Sequence, residues 1–369
     1  MRVLEINVDD IGMGGVFSLV RSLIFCCDNS ISIDIAAIEP FEQEENKKKL
    51  ESLGSNIYYI GYTKSKLIKQ IVCFIKLFKL IKKQKYSTVH IHADVANKLL
   101  VSGLACKIAG VNKILLHSHA SDVDGNKRLL KKIYHKCCCR FLKYIATDFL
   151  SCSDLAASWM FPNIKSSKIK IIKNGVNLEK FRFNQETRLA YRQLLNCDSN
   201  FIIGHVGRFA YQKNHSYIIQ IFNSVKKEIP SAKLLLIGEG VMENEIKQKV
   251  RDLRLSDDVI FYGTTPHIPE MMAAMDIFIL PSHFEGLPIV GVEAQASGLP
   301  VIFSDKISRD SKVTENVDFL PINPESISSW VEKIKDFSKK ERVDTYSTML
   351  SKGFSIKQTA DDLFELYRR

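Results

Sequence analysis

The chain has 369 residues, 46% of them hydrophobic and 25% charged, which excludes a disordered polymer and is too long for one ordinary core. Its net charge of +11 is confined to one half: residues 1–173 hold 27 Lys and Arg against 15 Asp and Glu, the remainder 25 against 26. No run of about 18 uncharged apolar residues occurs, and acids break the opening Met1-Arg2-Val3-Leu4-Glu5-Ile6, so neither a spanning helix nor a secretory leader is expected.

Short β-rich runs alternate with helical patterns from the start. Strands are expected at Val3–Val8, Ile31–Ile38, Ile57–Ile60, Thr88–His92, Ile114–His119, Tyr144–Ala146 and Ile169–Ile172, with amphipathic helices such as Val16–Phe25 and Leu67–Lys82 between them. Turn residues from Asn174 to Asn184 mark a linker. The rhythm then repeats, with strands expected at Phe201–Val206, Lys233–Ile237, Val259–Tyr262, Ile277–Leu280 and Pro300–Phe303. Crossover units of this kind build parallel sheets. The expected fold is α/β, two doubly wound Rossmann-like domains facing across a cleft. The boundaries are 1–178 for the first domain and 179–352 for the second. A helix over 353–369 is expected to pack back toward the first domain. Ligands of such sheets sit beyond the C-terminal strand ends.

Four groups of residues fall at those ends. Met13-Gly14-Gly15 follows the first strand and opens a helix, a niche that tolerates phosphate. His117-Ser118-His119 ends another strand, where His119 suits either contact with a reacting sugar or a structural hydrogen bond. Gly204-His205-Val206-Gly207-Arg208-Phe209 followed by Lys213-Asn214 brings two cations to one turn, as a diphosphate needs, although a surface Arg/Lys pair would look the same. The most specific group runs from Pro281-Ser282-His283-Phe284-Glu285-Gly286-Leu287-Pro288 to Glu293-Ala294. It sets two carboxylates eight residues apart, Glu285 in a loop and Glu293 about two turns into the following helix, where carboxylates accept vicinal hydroxyls well. A helix-capping acid is the plainer alternative for either.

Two patterns are set aside. Asp122-Val123-Asp124 spells a metal-holding acid pair, but Gly125-Asn126 follows it and a turn or cap is expected. Gly238-Glu239-Gly240 opens a dinucleotide fingerprint, but Glu243 stands where the third glycine belongs. Nine cysteines include the runs Cys26-Cys27 and Cys137-Cys138-Cys139 with no paired CxxC. They read as reduced thiols and place the protein in the cytoplasm.

Two basic segments account for the charge of the first half. Across Lys64–Lys85, Lys69, Lys76 and Lys83 share one face with Lys79 and Lys82, while Leu67, Ile71, Phe74, Phe78 and Ile81 occupy another. Across Lys127–Lys143 the pattern repeats with Leu129, Leu130, Tyr134, Phe141 and Leu142. The apolar sides are expected to pack on the sheet and the lysines to form a cationic patch that meets an anionic membrane surface.

Gly14-Gly15, His119, Asn174-Gly175-Val176-Asn177, Gly207-Arg208…Lys213-Asn214, Gly238-Glu239-Gly240, and Glu285 with Glu293 occur in the order of the retaining glycosyltransferases of family 4. The chain resembles that family over residues 2–305 and more loosely beyond. Its acidic stretch looks like the branch that builds capsular and exopolysaccharide repeat units. The resemblance implies a GT-B fold and transfer of a sugar from a nucleotide diphosphate, UDP before GDP, to a saccharide acceptor that is expected to be lipid-linked. It implies Arg208 and Lys213 on the donor diphosphate and Glu285 on the donor sugar, with Gly286 and Leu287 beside it. Glu293 falls to the ribose, Gly238 near the nucleoside, Gly15 under the phosphates and His119 beside the sugar. Catalytic roles thus fall to His119, Glu285, Arg208 and Lys213, with no metal and no cofactor beyond the nucleotide sugar. The family often has Asp where Asn177 stands and Gly where Asn214 stands. A sugar-nucleotide epimerase of the same architecture lacks this cation and acid set. A nucleic-acid binder, suggested by the basic charge, would need aromatics interleaved with the lysines.

Overall fold

The computed structural model describes residues 1–11, 14–28, 30–61, 68–125 and 127–369. Met13, Lys64 to Leu67 and Asn126 therefore lie outside the described residues. The chain forms two compact units, one of Met1–Gly175 with Ile356–Arg369, the other of Val176–Ser355.

The first unit is built on seven strands: β1 (Arg2–Ile6), β2 (Ser32–Ala37), β3 (Ile57–Tyr59), β4 (Thr88–Ala93), β5 (Lys113–Ser118), β6 (Asp148–Ser151) and β7 (Ile169–Ile171). They pair in the order β3-β2-β1-β4-β5-β6-β7, every pair parallel. Strand alternation puts Leu4, Ile6, Val89, Ile91, Ile114 and Leu116 on one side, in a core with Leu77, Ile81, Leu99, Cys138 and Leu142 from the helices. Each such side chain contributes about 1.5–3 kcal/mol on burial. The opposite side carries Glu5, His90, His92 and His117, all buried. The terminal helix Ile356–Arg368 and the helix Gly15–Cys26 pack on each other within this unit.

Two expectations fail here. Tyr144–Ala146 is not a strand: Tyr144 and Ile145 donate their amides to Phe141 and Leu142, closing the preceding helix, and the strand begins at Asp148. The amphipathic helices are also rotated from their expected facing. In Lys69–Gln84 Phe74, Phe78 and Ile81 pack toward the core as expected, but the fully buried stripe is Cys73, Leu77 and Ile81, and Ile71 is 60% exposed. In Arg128–Leu142 it is His135, Cys138, Cys139 and Leu142, while Leu129 and Leu130 are 72% and 63% exposed. Small and polarizable Cys side chains take the tight contacts, leaving larger residues outside.

The second unit has six strands, β8 (Phe201–Val206), β9 (Ala232–Ile237), β10 (Val259–Gly263), β11 (Ile277–Leu280), β12 (Val301–Ser304) and β13 (Val317–Leu320). Their order is β10-β9-β8-β11-β12-β13, again parallel throughout. Ile277-Phe278-Ile279-Leu280 is buried at every residue, as a central parallel strand covered on both faces must be. The half-buried edge strand β13 has no counterpart among the expected elements. In this sheet the order reverses between β8 and β11, so the loops leaving those two strands diverge and open a crevice.

Candidate active site

At that crevice Val206 leads into Gly207-Arg208 and Leu280 into Pro281-Ser282-His283-Phe284-Glu285. Gly207 is required by crowding: a Cβ there would lie 2.9 Å from His205 Nε2 and 3.0 Å from Lys213 Cδ. The turn after β9 is interlocked with it. Gly238 has φ +131°, and a Cβ would stand 2.4 Å from the Gly207 carbonyl oxygen, so neither space nor conformation admits a side chain. Phe209 donates its amide to the Glu239 carbonyl at 3.0 Å. These contacts fix the Arg208 backbone, whose side chain is exposed.

Glu285 is 7% exposed and both its oxygens are occupied. Lys213 Nζ donates to Oε1 at 2.8 Å and Ser282 Oγ at 3.0 Å, while Gln212 Nε2 donates to Oε2 at 3.0 Å. Gln212 also binds the Phe284 carbonyl, and its own carbonyl accepts from the His283 amide at 2.8 Å. Lys213 and Glu285 are thus one buried ion pair (side chains 15% and 9% exposed). Asn214 in the left-handed region, φ +57°, opens the next helix and holds the Pro281 carbonyl at 3.1 Å. An Asn tolerates that conformation nearly as a glycine does, which explains its place where the family often has Gly.

Glu293 lies in the helix Ile289–Ala296, capped by Pro288. It is the fifth helical residue, little more than one turn in rather than two. Glu285, Gly286 and Leu287 form the buried loop before that helix. In the second unit the structure therefore gathers Lys213 and Glu285 at the ends of β8 and β11, with Arg208 on the neighbouring turn. Gln212 and Ser282, not among the residues expected at the site, complete the grip on Glu285.

In the first unit Gly15 is the first residue of the helix Gly15–Cys26, with Gly14 as its N-cap. His119 follows β5 and is half-buried. His119 Nε2 lies 2.8 Å from His92 Nδ1, and His92 Nε2 lies 2.6 Å from Glu5 Oε2. Tyr367 of the terminal helix donates to Glu5 Oε1 at 2.8 Å. His90 Nδ1 lies 2.7 Å from that hydroxyl, and His90 Nε2 3.0 Å from His117 Nδ1. Burial pushes the Glu5 carboxyl up, but His90 and His92 outweigh it and hold it below the usual carboxylate range. His92 is pushed down to about 4 by burial and by His90, against the pull of Glu5. Burial and neighbouring rings also push His117 and His119 well down. The imidazole nitrogens of His90, His92 and His117 lie within 4.8 Å of one another, a grouping able to hold a metal.

Asp122 serves a turn instead. Its Oδ1 accepts the Val123 amide, and Oδ2 accepts from Arg128 and Lys132 at 2.6 and 2.8 Å. Asp124 Oδ1 accepts the Gly125 amide, with Gly125 at φ +74°.

Residues 189–353 match the family model described as glycosyl transferases group 1, and residues 30–151 the model described as glycosyl transferase 4-like. The chain is a glycosyltransferase. More particularly, its second unit carries the group 1 domain and its first the 4-like domain, on the GT-B architecture of two parallel-sheet α/β domains. EpsF of Bacillus subtilis (strain 168) is 29% identical, over 99% of this chain and 96% of the relative. The UDP-Gal:alpha-D-GlcNAc-diphosphoundecaprenol alpha-1,3-galactosyltransferase of Escherichia coli is 27% identical, over 82% of this chain and 80% of the relative. Among solved structures, Anabaena HepE in complex with UDP-glucose superposes with TM-score 0.78 at 18% identity, covering 99% of each chain.

Proposed function

We propose that this protein is a retaining, family 4 glycosyltransferase that moves a sugar from UDP to a lipid-linked saccharide during surface polysaccharide synthesis. The observation that carries the reading is the buried Lys213–Glu285 pair at the ends of β8 and β11, beside the exposed Arg208 turn. Cation and acid are held where a diphosphate and a sugar hydroxyl would each find a partner. Arg208 and Lys213 bind the leaving diphosphate, Glu285 with the Gly286 and Leu287 amides binds the donor sugar, and Glu293 binds the ribose. Gly238 lies near the nucleoside. The resemblance to family 4 assigns Gly15 to the phosphates and His119 to the sugar. In this account the acceptor hydroxyl attacks on the side the nucleotide leaves. The departing phosphate takes the proton, and cations rather than a metal stabilise the charge. The Escherichia coli relative's name gives a UDP-sugar and a diphosphoundecaprenol acceptor, which supports UDP and a lipid-linked acceptor here, and HepE, solved with UDP-glucose, supports UDP. Incubation with UDP- and GDP-sugars and an undecaprenyl-diphosphate saccharide should release UDP and give a product of unchanged anomeric configuration by NMR. Inverted product, or UDP release with no glycosylated acceptor, contradicts the reading.

Attachment to an anionic membrane surface is favoured by a separate observation. The helices Lys69–Gln84, Ala96–Ile108 and Arg128–Leu142 are neighbours in the first unit. They expose Ile71, Ile75, Ile108, Leu130, Ile133 and Phe141 among Lys76, Lys79, Lys107, Lys131, Lys136 and Arg140. Apolar side chains interleaved with cations suit a headgroup region, where each cation is worth about 1 kcal/mol. No helix among the described residues is long and apolar enough to cross a membrane. Lys69 is paired with Glu39 and is not part of this patch. Replacing Lys76, Lys79, Lys131 and Lys136 with Gln should release the protein from anionic vesicles, and Ile133→Ser with Phe141→Ser should weaken it further at high salt. Equal pelleting of all variants removes this part of the reading.

A further inference from the structure

The hydrogen bonds on the histidine side of the first sheet dictate which nitrogen of each ring carries the proton. Glu5 on β1 is in register with His90 on β4, and His92 with His117 on β5. Register partners share a face, as do residues two apart, so Glu5, His90, His92, His117 and His119 stand on one side. Glu5, His90, His92, His117 and the covering Tyr367 are each at most 2% exposed.

Three groups converge on Glu5. His92 Nε2 stands at 2.6 Å and His90 Nδ1 at 3.1 Å from Oε2, and Tyr367 Oη at 2.8 Å from Oε1. An ionised carboxylate only accepts, so the two groups hydrogen-bonded to it, His92 Nε2 and Tyr367 Oη, must donate. Donation by His92 Nε2 leaves Nδ1 of the neutral ring as a lone pair. The 2.8 Å contact to His119 then requires His119 Nε2–H to donate, and His119 Nδ1 is left bare. The other branch follows the same rule. Tyr367 gives its proton to Glu5 and accepts from His90 Nδ1–H, so His90 Nε2 accepts from His117 Nδ1–H at 3.0 Å. That assignment leaves His117 Nε2 as a bare lone pair, and this atom is buried with no hydrogen-bond partner. Running the network in the opposite sense needs Glu5 to carry a proton, and its single O–H could donate to only one of His92 and Tyr367, so both branches cannot reverse.

We propose that Glu5 is a positioning residue of the transferase: acting through His92, it fixes His119 as the Nε2–H tautomer and presents Nδ1 as an acceptor for a hydroxyl of the donor sugar. This rests on the reading of His119 as the histidine beside that sugar. Tyr367 holds Glu5 from the terminal helix and makes the last helix of the chain part of the positioning apparatus. A ring of the other tautomer would turn an N–H toward the hydroxyl and oblige that hydroxyl to accept instead.

Two-bond proton–nitrogen NMR of the full chain labelled in its histidines distinguishes the tautomers directly, with His119→Gln assigning the signal. The wild type should show neutral Nε2–H signatures for His92 and His119 and Nδ1–H for His90 and His117. Glu5→Gln should mix or invert the His119 signature and lower kcat/KM about 10-fold, the range seen when groups behind a ligand are removed. UDP affinity should stay unchanged, and Glu5→Asp should recover part of the loss. Tyr367→Phe should leave the His119 tautomer intact. An Nδ1–H or doubly protonated His119 in the wild type overturns the proposal even if Glu5→Gln does not fold. So does a Glu5→Gln enzyme with wild-type spectrum and rate. Full transfer by His119→Ala would instead sink the donor reading of His119, leaving the tautomer result to judge Glu5 separately.

Discussion

The two units repeat one construction, a parallel sheet whose strand order reverses beside its first strand, yet they carry polar chemistry differently. In the second unit it lies in the turns: Gly207-Arg208 after β8, Gly238-Glu239-Gly240 after β9 and Glu285 after β11. In the first unit it lies within the strands, with Glu5, His90, His92 and His117 buried on one side of the sheet. Turns can bring charge to a ligand in solvent. A buried strand face can only arrange protons and dipoles, since an ion there must be fully partnered. On the proposed reading the second unit binds the donor and the first orients a group against it.

The largest effect expected from this contrast is at Glu285. Glu285→Ala should lower transfer by about 10²–10³-fold, the scale for removing one group that stabilises a transition state. Because Glu285 holds Lys213 at 2.8 Å, its loss frees that cation, and UDP binding should not weaken. Comparable activity of Glu285→Ala and wild type in a UDP-release assay would erase the distinction between the units.

The next effect concerns protons. His92 in the first unit and His205 in the second are held neutral, His92 down to about 4 and His205 down to about 3 by burial, offset in part by the Ile279 carbonyl. In the unfolded chain each takes up a proton near pH 6.5, roughly. Stability is therefore fully present above that pH and lost as pH falls toward the folded values, by about 1.4 kcal/mol per pH unit for each histidine. The melting temperature should be flat from pH 8 to 7 and fall steadily below about 6.5. A profile flat down to pH 5 contradicts the neutral assignment on which the histidine side depends.

The smallest effect should be none. Asp122 and Asp124 are engaged in their turn, and the proposed reading meets the diphosphate charge with Arg208 and Lys213, so it expects excess chelator to leave the rate unchanged. The Glu5 network is satisfied by protons at His90, His92 and His117. Loss of activity in chelator, restored by a divalent ion, would mean that these three rings or another group hold a metal that the reaction needs.

The fold was legible because β11 is a continuous apolar run ended by proline and β8 a largely apolar one ended by glycine, and the expected and observed ends of both coincide. β6 and β13 differ: the apolar run Tyr144-Ile145-Ala146 just before β6 closes a helix, and Val317-Asp318-Phe319-Leu320 carries an acid and lies half-buried at the sheet edge. The turn chemistry was visible for a similar reason: glycine beside arginine, or glutamate beside glycine, is conspicuous in sequence. The pairing of Lys213 with Glu285 was not, because it joins residues 72 positions apart through strand order alone. His117 and His119 drew attention as a strand end, but Glu5, His90, His92 and Tyr367 did not. The signal was available in Val89-His90-Ile91-His92 and Leu116-His117-Ser118-His119, two His-x-His strands with the same alternation. Only the register of β4 on β5, and a tyrosine from the far end of the chain, turns them into one network.

The most direct test of the central claim, that the second unit separates phosphate binding from sugar binding, is titration calorimetry of free UDP against three proteins. Wild type and Glu285→Ala should bind UDP with similar affinity, while Arg208→Ala should bind it about 10-fold or more weakly, as loss of a charged hydrogen bond of about 1.5–3 kcal/mol requires. If UDP affinity falls as far for Glu285→Ala as for Arg208→Ala, or for neither, the division of roles is wrong.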